Sequence, residues 1–510
     1  MTSAAGTLPA SLVRRWSADP EAPALVEGES GRVIAGGELE ASSRRLAGEL
    51  IAGGLSPGDR VLFSPGRPLG SAVTVVALLR AGLVLVPANP TLTAPELRHV
   101  IAEVRPAACV AEDAAFRRSV QEMDASVQVI EVAAAAPDGG GSLPTEIAGD
   151  RLDAAQPFDI ALILFTSGTT GKPKGAAHTH ASLLANAESL RSAWRWTPSD
   201  RLVHALPMFH AHGLCVGLLG TLHAGASAVL LPHFGVDEVL GACTRFGGTL
   251  FFGVPTMYHR LQVSGRAAEL SGLRLAVSGS AALPAALHGA IAAASGLAIL
   301  ERYGTTETLM SLSNPYDGER RAGTVGLPLP GVEIRLAPVS TPGGAGSGEA
   351  IDGAAEANTG ELLIRGPSLF AGYFGRPDAT EEAFEDGWYR TGDIASIAGD
   401  GYVRILGRTK ELVISGGFNV YPAEVESVLA ELPGVAEVAV AGTPSDEWGE
   451  VVTAWIVPAG APDATLVEAV TALAQERLAP YKRPRIVHLV DSLPRNALGK
   501  VVKHRLDEAP

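Results

Sequence analysis

Ile160-Ala161-Leu162-Ile163-Leu164-Phe165 runs directly into Thr166-Ser167-Gly168-Thr169-Thr170-Gly171-Lys172-Pro173-Lys174-Gly175. A short apolar run bounded by a Gly/Thr-rich turn reads as a buried strand that delivers a loop. Glycines and hydroxyls in such a loop let backbone N–H groups approach phosphate, and the lysines add positive charge. A Walker P-loop is excluded. That motif has four residues between its glycines and a Ser/Thr after its lysine, whereas two residues separate Gly168 from Gly171 and Pro173 follows Lys172. Taken alone, the stretch also fits a polar Gly/Thr turn.

The strand-and-helix alternation continues on both sides. Arg60–Ser64, Leu83–Pro87, Ala107–Val110, Ser227–Leu231, Thr249–Phe252, Leu273–Val277 and Leu297–Glu301 read as further buried strands. Between them, Pro95–Val104, His180–Trp194 and Pro284–Ala294 are amphipathic. This order predicts an α/β fold with largely parallel sheets covered by helices. Ala337–Gly360 is rich in Gly, Ala, Ser and Thr without periodicity and reads as a surface loop. Beyond Gly407 a smaller unit begins: a helix Pro422–Leu432, strands Val435–Ala441 and Val451–Val457, a helix Ala464–Leu478 with Asp463 as N-cap, and a strand Ile486–Val490. The expected division is a large N-terminal domain, 1–409, and a small mobile α+β C-terminal domain, 410–510.

A length of 510 residues, 46% of them hydrophobic, supports two or more cored domains rather than one. With 40 Lys+Arg against 55 Asp+Glu the formal net charge is −15, so the chain as a whole repels nucleic acid backbones. Anionic ligands then need a local cluster of cations and amides. Cys109, Cys215 and Cys243 are odd in number and contain no CxxC pair, which fits a reducing compartment. No secretory signal is visible at the N-terminus, so a cytoplasmic location is expected. Ser71–Pro87 and Gly213–Pro232 are apolar, but Arg80 and His223 interrupt them, and each reads as a buried helix leading into a strand rather than a membrane span.

Four further motifs stand in order after the first: Tyr303-Gly304-Thr305-Thr306-Glu307, Tyr389-Arg390-Thr391-Gly392-Asp393, Gly407-Arg408-Thr409-Lys410 and Pro494-Arg495-Asn496-Ala497-Leu498-Gly499-Lys500. Together with Thr166–Gly175 they resemble the acyl-adenylate-forming superfamily over essentially the whole chain. The resemblance implies a ligase that uses ATP, Mg2+ and coenzyme A to convert a carboxylic acid first to an acyl-adenylate and then to a thioester. It implies that Thr166, Ser167, Gly168, Thr169, Thr170 and Lys174 cradle phosphate, and that Glu307 with Thr166 ligates Mg2+. Tyr303, Gly304, Thr305 and Thr306 with Ser280 and Ala281 are implied to hold adenine. Asp393 and Arg408 fall at the ribose-binding positions and Lys500 at the catalytic lysine. Lys410 falls at the hinge, and Gly416, Gly417 and Phe418 line the strip for the pantetheine arm of CoA. Gly416-Gly417 reads equally as a tight turn, and the two readings are compatible.

For the acid, Pro207-Met208-Phe209-His210-Ala211-His212-Gly213 resembles the loop beside the acyl pocket. Amino-acid-activating relatives carry aspartate where His210 stands, so an amino acid is not expected. His210 and His212 lack a third metal ligand nearby, and a gate or pocket wall is the better reading. Arg260 and Arg302 point to a dicarboxylic acid, because a buried second carboxylate needs a bidentate cation. Their segments, with Ser280, resemble malonyl-CoA synthetases, which implies malonate or an alkyl-malonate such as methylmalonate. Thr305 and Ala211 stand where malonate-selective relatives carry larger side chains, implying a roomier pocket. The alternatives are a ligase for a medium-chain or aromatic acid, with both arginines in structural ion pairs, and a non-catalytic adenylate-binding protein, which retention of Glu307 and Lys500 opposes.

Overall fold

A computed structural model describes residues 6–131, 152–166, 173–338, 358–415, 418–445, 448–460, 464–495 and 501–509. Ser167–Lys172, Gly416-Gly417, Asp463 and Asn496–Lys500 therefore lie outside the described residues.

The apolar runs form the centres of two large sheets. In one, Leu300–Tyr303, Leu275–Ser278, Leu250–Gly253, Arg201–His204, Ser227–Leu230 and Pro23–Glu27 are neighbours in that order and all parallel. In the other, Ile160–Phe165, Val84–Pro87, Arg60–Ser64, Ala108–Ala111 and Gln128–Glu131 are parallel, and Gly175–Thr179 returns antiparallel beside Ile160–Phe165. Strands buried on both faces carry unbroken apolar runs, which is why they were legible. Helices Leu8–Ala18, Gly36–Ala52 and Pro68–Arg80 fill the space between the sheets, where Leu12, Leu39, Val76, Phe63 and Leu230 share one core.

Ser71–Pro87 behaves as expected: a helix buried nearly all round, Pro68–Arg80, leads into the strand Val84–Pro87. Among the described residues no helix is long and apolar enough to cross a membrane. Gly213–Pro232 departs from a plain α-helix. His212–Leu219 is a buried π-helical turn, and Gly220 N–H donates to Cys215 O five residues back. An antiparallel third sheet, containing Glu333–Ala337, Thr359–Arg365, Trp388–Ile397 and Val403–Arg408, was not anticipated. The ends of the expected loop 337–360 are strand instead: Ala337, Thr359 and Gly360 are paired, while 339–357 lie outside the described residues.

The C-terminal unit has the expected order, with a helix Pro422–Leu429, long paired strands Val435–Ser445 and Gly449–Pro458, a helix Ala464–Arg477 and a strand Ile486–Leu489. Val413–Ser415 and Phe418–Val420 pair antiparallel on the edge of this sheet.

Arg80, 1% exposed, ends its helix in a buried ion cluster. Its guanidinium donates to Glu40 Oε1 at 3.0 Å, Asp153 Oδ2 at 2.8 Å and Ser43 Oγ at 3.0 Å. Removing one member of such a cluster leaves buried charge uncompensated. Arg80→Leu should therefore lower stability by about 3–5 kcal/mol, read from the urea midpoint of the N-terminal unfolding transition. A loss below about 1 kcal/mol, the level of a surface pair, would show the cluster to be solvated.

Candidate active site

Parallel strands present their carboxyl ends on one edge, where open α/β sheets bind ligands. The motif segments lie on that edge. Thr166 follows Ile160–Phe165, Gly279-Ser280 follows Leu275–Ser278, and Tyr303 ends Leu300–Tyr303. The loop Ala205–Ala211 follows Arg201–His204.

Thr166 and Lys174 are hydrogen-bonded to each other. Thr166 N–H donates to Lys174 O at 2.9 Å, and Lys174 N–H donates to Thr166 Oγ1 at 3.2 Å. The Lys174 ammonium stands 4.8 Å from the ring centre of Tyr373, a cation–π distance. Tyr373 O–H in turn donates to Glu307 Oε1 at 2.8 Å. Glu307 is buried in the turn after Tyr303, which is held by Phe370 N–H on Glu307 O at 2.8 Å and His178 Nε2–H on Thr306 O at 2.8 Å. Gly304 is obligatory there, because a Cβ would lie 1.7 Å from Leu309 O. Tyr373 takes one Glu307 oxygen and leaves the other for a hard cation. One carboxylate plus substrate phosphates is the donor set Mg2+ uses, so the residues fit that ion. Among the described residues, no cluster of three or more His, Cys, Asp or Glu suits a metal, and His210 with His212 forms none.

Asp393 and Arg408 face each other across paired strands, with Arg408 Nε 3.0 Å from Asp393 Oδ1. Tyr303 O–H donates to Asp393 Oδ2 at 2.5 Å. Burial and the Asp393 carboxylate push the Tyr303 phenol well above its ordinary value, so it stays a donor.

Arg302 is buried, 4% exposed, and its guanidinium lies against the Gly279 backbone, where a Cβ would come within 2.2 Å of Cζ. Among the described residues it makes no ion pair, and Nε and one Nη have no hydrogen-bond partner. Burial pushes it down to about 9, opposed by Glu301, and a guanidinium remains protonated there at neutral pH. Glu301 points elsewhere, accepting Leu283 N–H at 2.9 Å, and burial raises it to about 7. Arg260 differs from the expected buried pair: it is exposed at the end of Pro255–Val263, its guanidinium 5.0 Å above the Phe234 ring. Ser280, in the left-handed region at φ 71°, and Ala281 are exposed beside this edge. The Phe209 and His210 rings meet edge to face at 4.6 Å, and Ala211 packs on the same core as Leu309.

Farther along the chain, Lys410 lies in the short turn Thr409–Glu411 between the last strand of the third sheet and the C-terminal unit. The Phe418 ring stacks on Tyr481 at 4.8 Å. Sequence reasoning missed His178, Tyr373 and His204. A histidine inside the apolar strand Gly175–Thr179, next to the phosphate loop, was the one available signal.

Clustered cations, hydroxyls and carboxylates at the strand ends are the groups a phosphate-bearing ligand needs. The family described as AMP-binding enzyme matches residues 12–374, and its C-terminal domain matches residues 424–500. The chain is 36% identical over 499 residues to a feruloyl-CoA synthase from Amycolatopsis sp, covering 96% of both. It is 40% identical over 395 residues to the malonate–CoA ligase of Arabidopsis thaliana, covering 71% of this chain and 62% of that one. The crystal structure of ATP-bound MatB from Rhodopseudomonas palustris superposes with a TM-score of 0.86 at 40% identity, covering 98% of each chain. The chain belongs to the AMP-binding enzyme family. It is an AMP-forming acyl-CoA ligase that uses ATP, Mg2+ and coenzyme A.

Burial holds His178, His180 and His204 neutral, each lowered from 6.5 to about 4. Their unfolded forms take protons first as pH falls, so the native state loses stability between pH 6.5 and about 4, and these groups add nothing below that window. Each contributes up to about 1.4 kcal/mol per pH unit. The urea midpoint should fall from pH 7 to pH 5, and His178→Gln should make that fall shallower. An unchanged slope in the variant would place the His178 proton exchange in solvent.

Proposed function

We propose that the acid activated by this ligase is malonate or an alkyl-malonate such as methylmalonate. Arg302 carries the reading: a buried guanidinium that, among the described residues, makes no ion pair and leaves two nitrogens without a hydrogen-bond partner, one residue before Tyr303. Burying such a charge alone is costly, and a distal carboxylate supplies both the charge and the acceptors. The name of the Arabidopsis relative supports it. The feruloyl-CoA synthase relative keeps an aromatic or medium-chain acid as the second reading, which Arg302 opposes because a neutral pocket has no use for it.

In the first half-reaction an oxygen of the reacting carboxylate attacks the α-phosphorus of ATP. A new O–P bond forms, the bond to the β-phosphate breaks, and pyrophosphate leaves. Anions must approach each other, so the residues supply cations and donors rather than a base. Lys174 and the loop from Thr166 to Thr170 hold phosphate, and Arg408 and Asp393 fix the ribose. Tyr303, Gly304, Thr305 and Thr306 with Ser280 and Ala281 border the adenine. Glu307 and Thr166 hold Mg2+, which when bound spreads the phosphate charge. His210 flanks the entrance for the acid, and Lys500 bonds the acyl carboxylate and α-phosphate as charge develops. In the second half-reaction the unit from 410 onward turns about Lys410. The CoA thiolate, lying along Gly416, Gly417 and Phe418, attacks the acyl carbon and AMP leaves. Thr305 and Ala211 leave room for an alkyl branch.

Pyrophosphate release with ATP and a panel of acids tests the substrate. Malonate and methylmalonate should exceed butyrate and ferulate by roughly a hundredfold in kcat/KM, since a site built for a charge rejects its absence strongly. Arg302→Leu should cost malonate about 3–5 kcal/mol and butyrate much less. A common loss for both acids, or a parent that prefers ferulate, would reject the dicarboxylate reading.

Lys500→Ala should abolish adenylate formation while pre-formed acyl-adenylate and CoA still give thioester at a near-normal rate, a split that single-turnover kinetics resolves. Equal loss in both half-reactions would overturn the two-orientation account.

A further inference from the structure

On one face of the first sheet, Phe252, Val277 and Leu300 stand in register across three adjacent parallel strands and share a core. Side chains alternate along a strand, so Arg302, two residues beyond Leu300, emerges on that same face at the carboxyl edge. Its contact with Gly279, two residues beyond Val277, agrees. His212, the first residue of the π-helical turn, lies flat over Phe252 on this face, with ring centres 6.4 Å apart and planes at 17°.

His212 is 4% exposed, and neither ring nitrogen has a hydrogen-bond partner among the described residues. Of its ionisable neighbours Arg302 acts on it most strongly, followed by His204 and His210. Two adjacent side chains thus hold unpaired buried nitrogens, in a setting where most buried polar groups are satisfied. His204 also lacks a partner, but its ring is wedged against Gly217, where a Cβ would lie 2.6 Å from Cε1, and it serves as filling between strand and turn.

We propose that His212 is a specificity-determining residue that donates a ring N–H to the substrate's distal carboxylate alongside Arg302, an assignment that rests on the dicarboxylate reading above. The arrangement balances charge. One carboxylate meets one guanidinium, and a neutral imidazole adds a directional donor without adding a second cation. Arg260, by contrast, is exposed over Phe234.

The test compares kcat/KM for malonate and butyrate in the parent, His212→Leu and His212→Gln. His212→Leu keeps bulk and removes the donor; His212→Gln restores an N–H. His212→Phe, which keeps the stack on Phe252, replaces the leucine variant if that protein does not fold. The expected result is a loss of roughly a hundredfold for malonate, mainly in KM, with butyrate changed less than about threefold and the glutamine variant recovering about tenfold. A parent that does not prefer malonate overturns the dicarboxylate reading and this assignment with it. A parent that does, with the leucine variant lowering both acids alike or neither, overturns this assignment alone.

Discussion

Glu301–Leu309 is held from three sides, and the rest of the site takes its positions from that restraint. Tyr303 O–H reaches Asp393 in the third sheet, while His178 and Tyr373, both from the second large sheet, grip Thr306 O and Glu307. Three sheets are therefore tied at one short turn of the first. Hydrogen bonds to charged groups are shorter and stronger than neutral ones, and several of these are buried. The turn is sharp enough that Gly304 has no substitute and Leu309 adopts φ 54°.

Strand alternation then sorts the chemistry. Glu301 and Tyr303 leave one face, and Arg302 leaves the other. Within three consecutive residues the chain has a carboxyl accepting the Leu283 amide, a guanidinium on the face that carries Val277 and Leu300, and a phenol on the Asp393 carboxylate. Adjacent opposite charges that face apart do not neutralise each other. Each is desolvated separately, which is why Glu301 rises and Arg302 falls although they are neighbours in sequence.

The parallel strands were readable because residues buried on both faces must be apolar: Ile160–Phe165 and Arg60–Ser64 show this over their whole length. The third sheet was not, since Trp388–Ile397 carries Arg390, Thr391, Gly392 and Asp393 and reads as motif rather than strand. The site motifs were legible as residue types in order, and the structure gathers Thr166, Lys174, Glu307, Tyr303, Asp393 and Arg408 through hydrogen bonds, a cation–π contact, an ion pair and shared strand ends. The difference between Arg260 and Arg302 was invisible in sequence. Both follow apolar segments, but one ends a surface helix and the other lies inside a sheet, and only packing decides which is desolvated.

The π-helical turn His212–Leu219 holds one residue more than an α-helical path would use over the same span. Such turns arise when a single codon is inserted into an ordinary helix, and they recur at functional sites. Each residue added or removed rotates the helix by about 100°. A one-residue insertion or deletion here would therefore exchange the side chains that this turn presents, without altering the strands on either side. Acid preference in such enzymes is then open to change by length as well as by substitution.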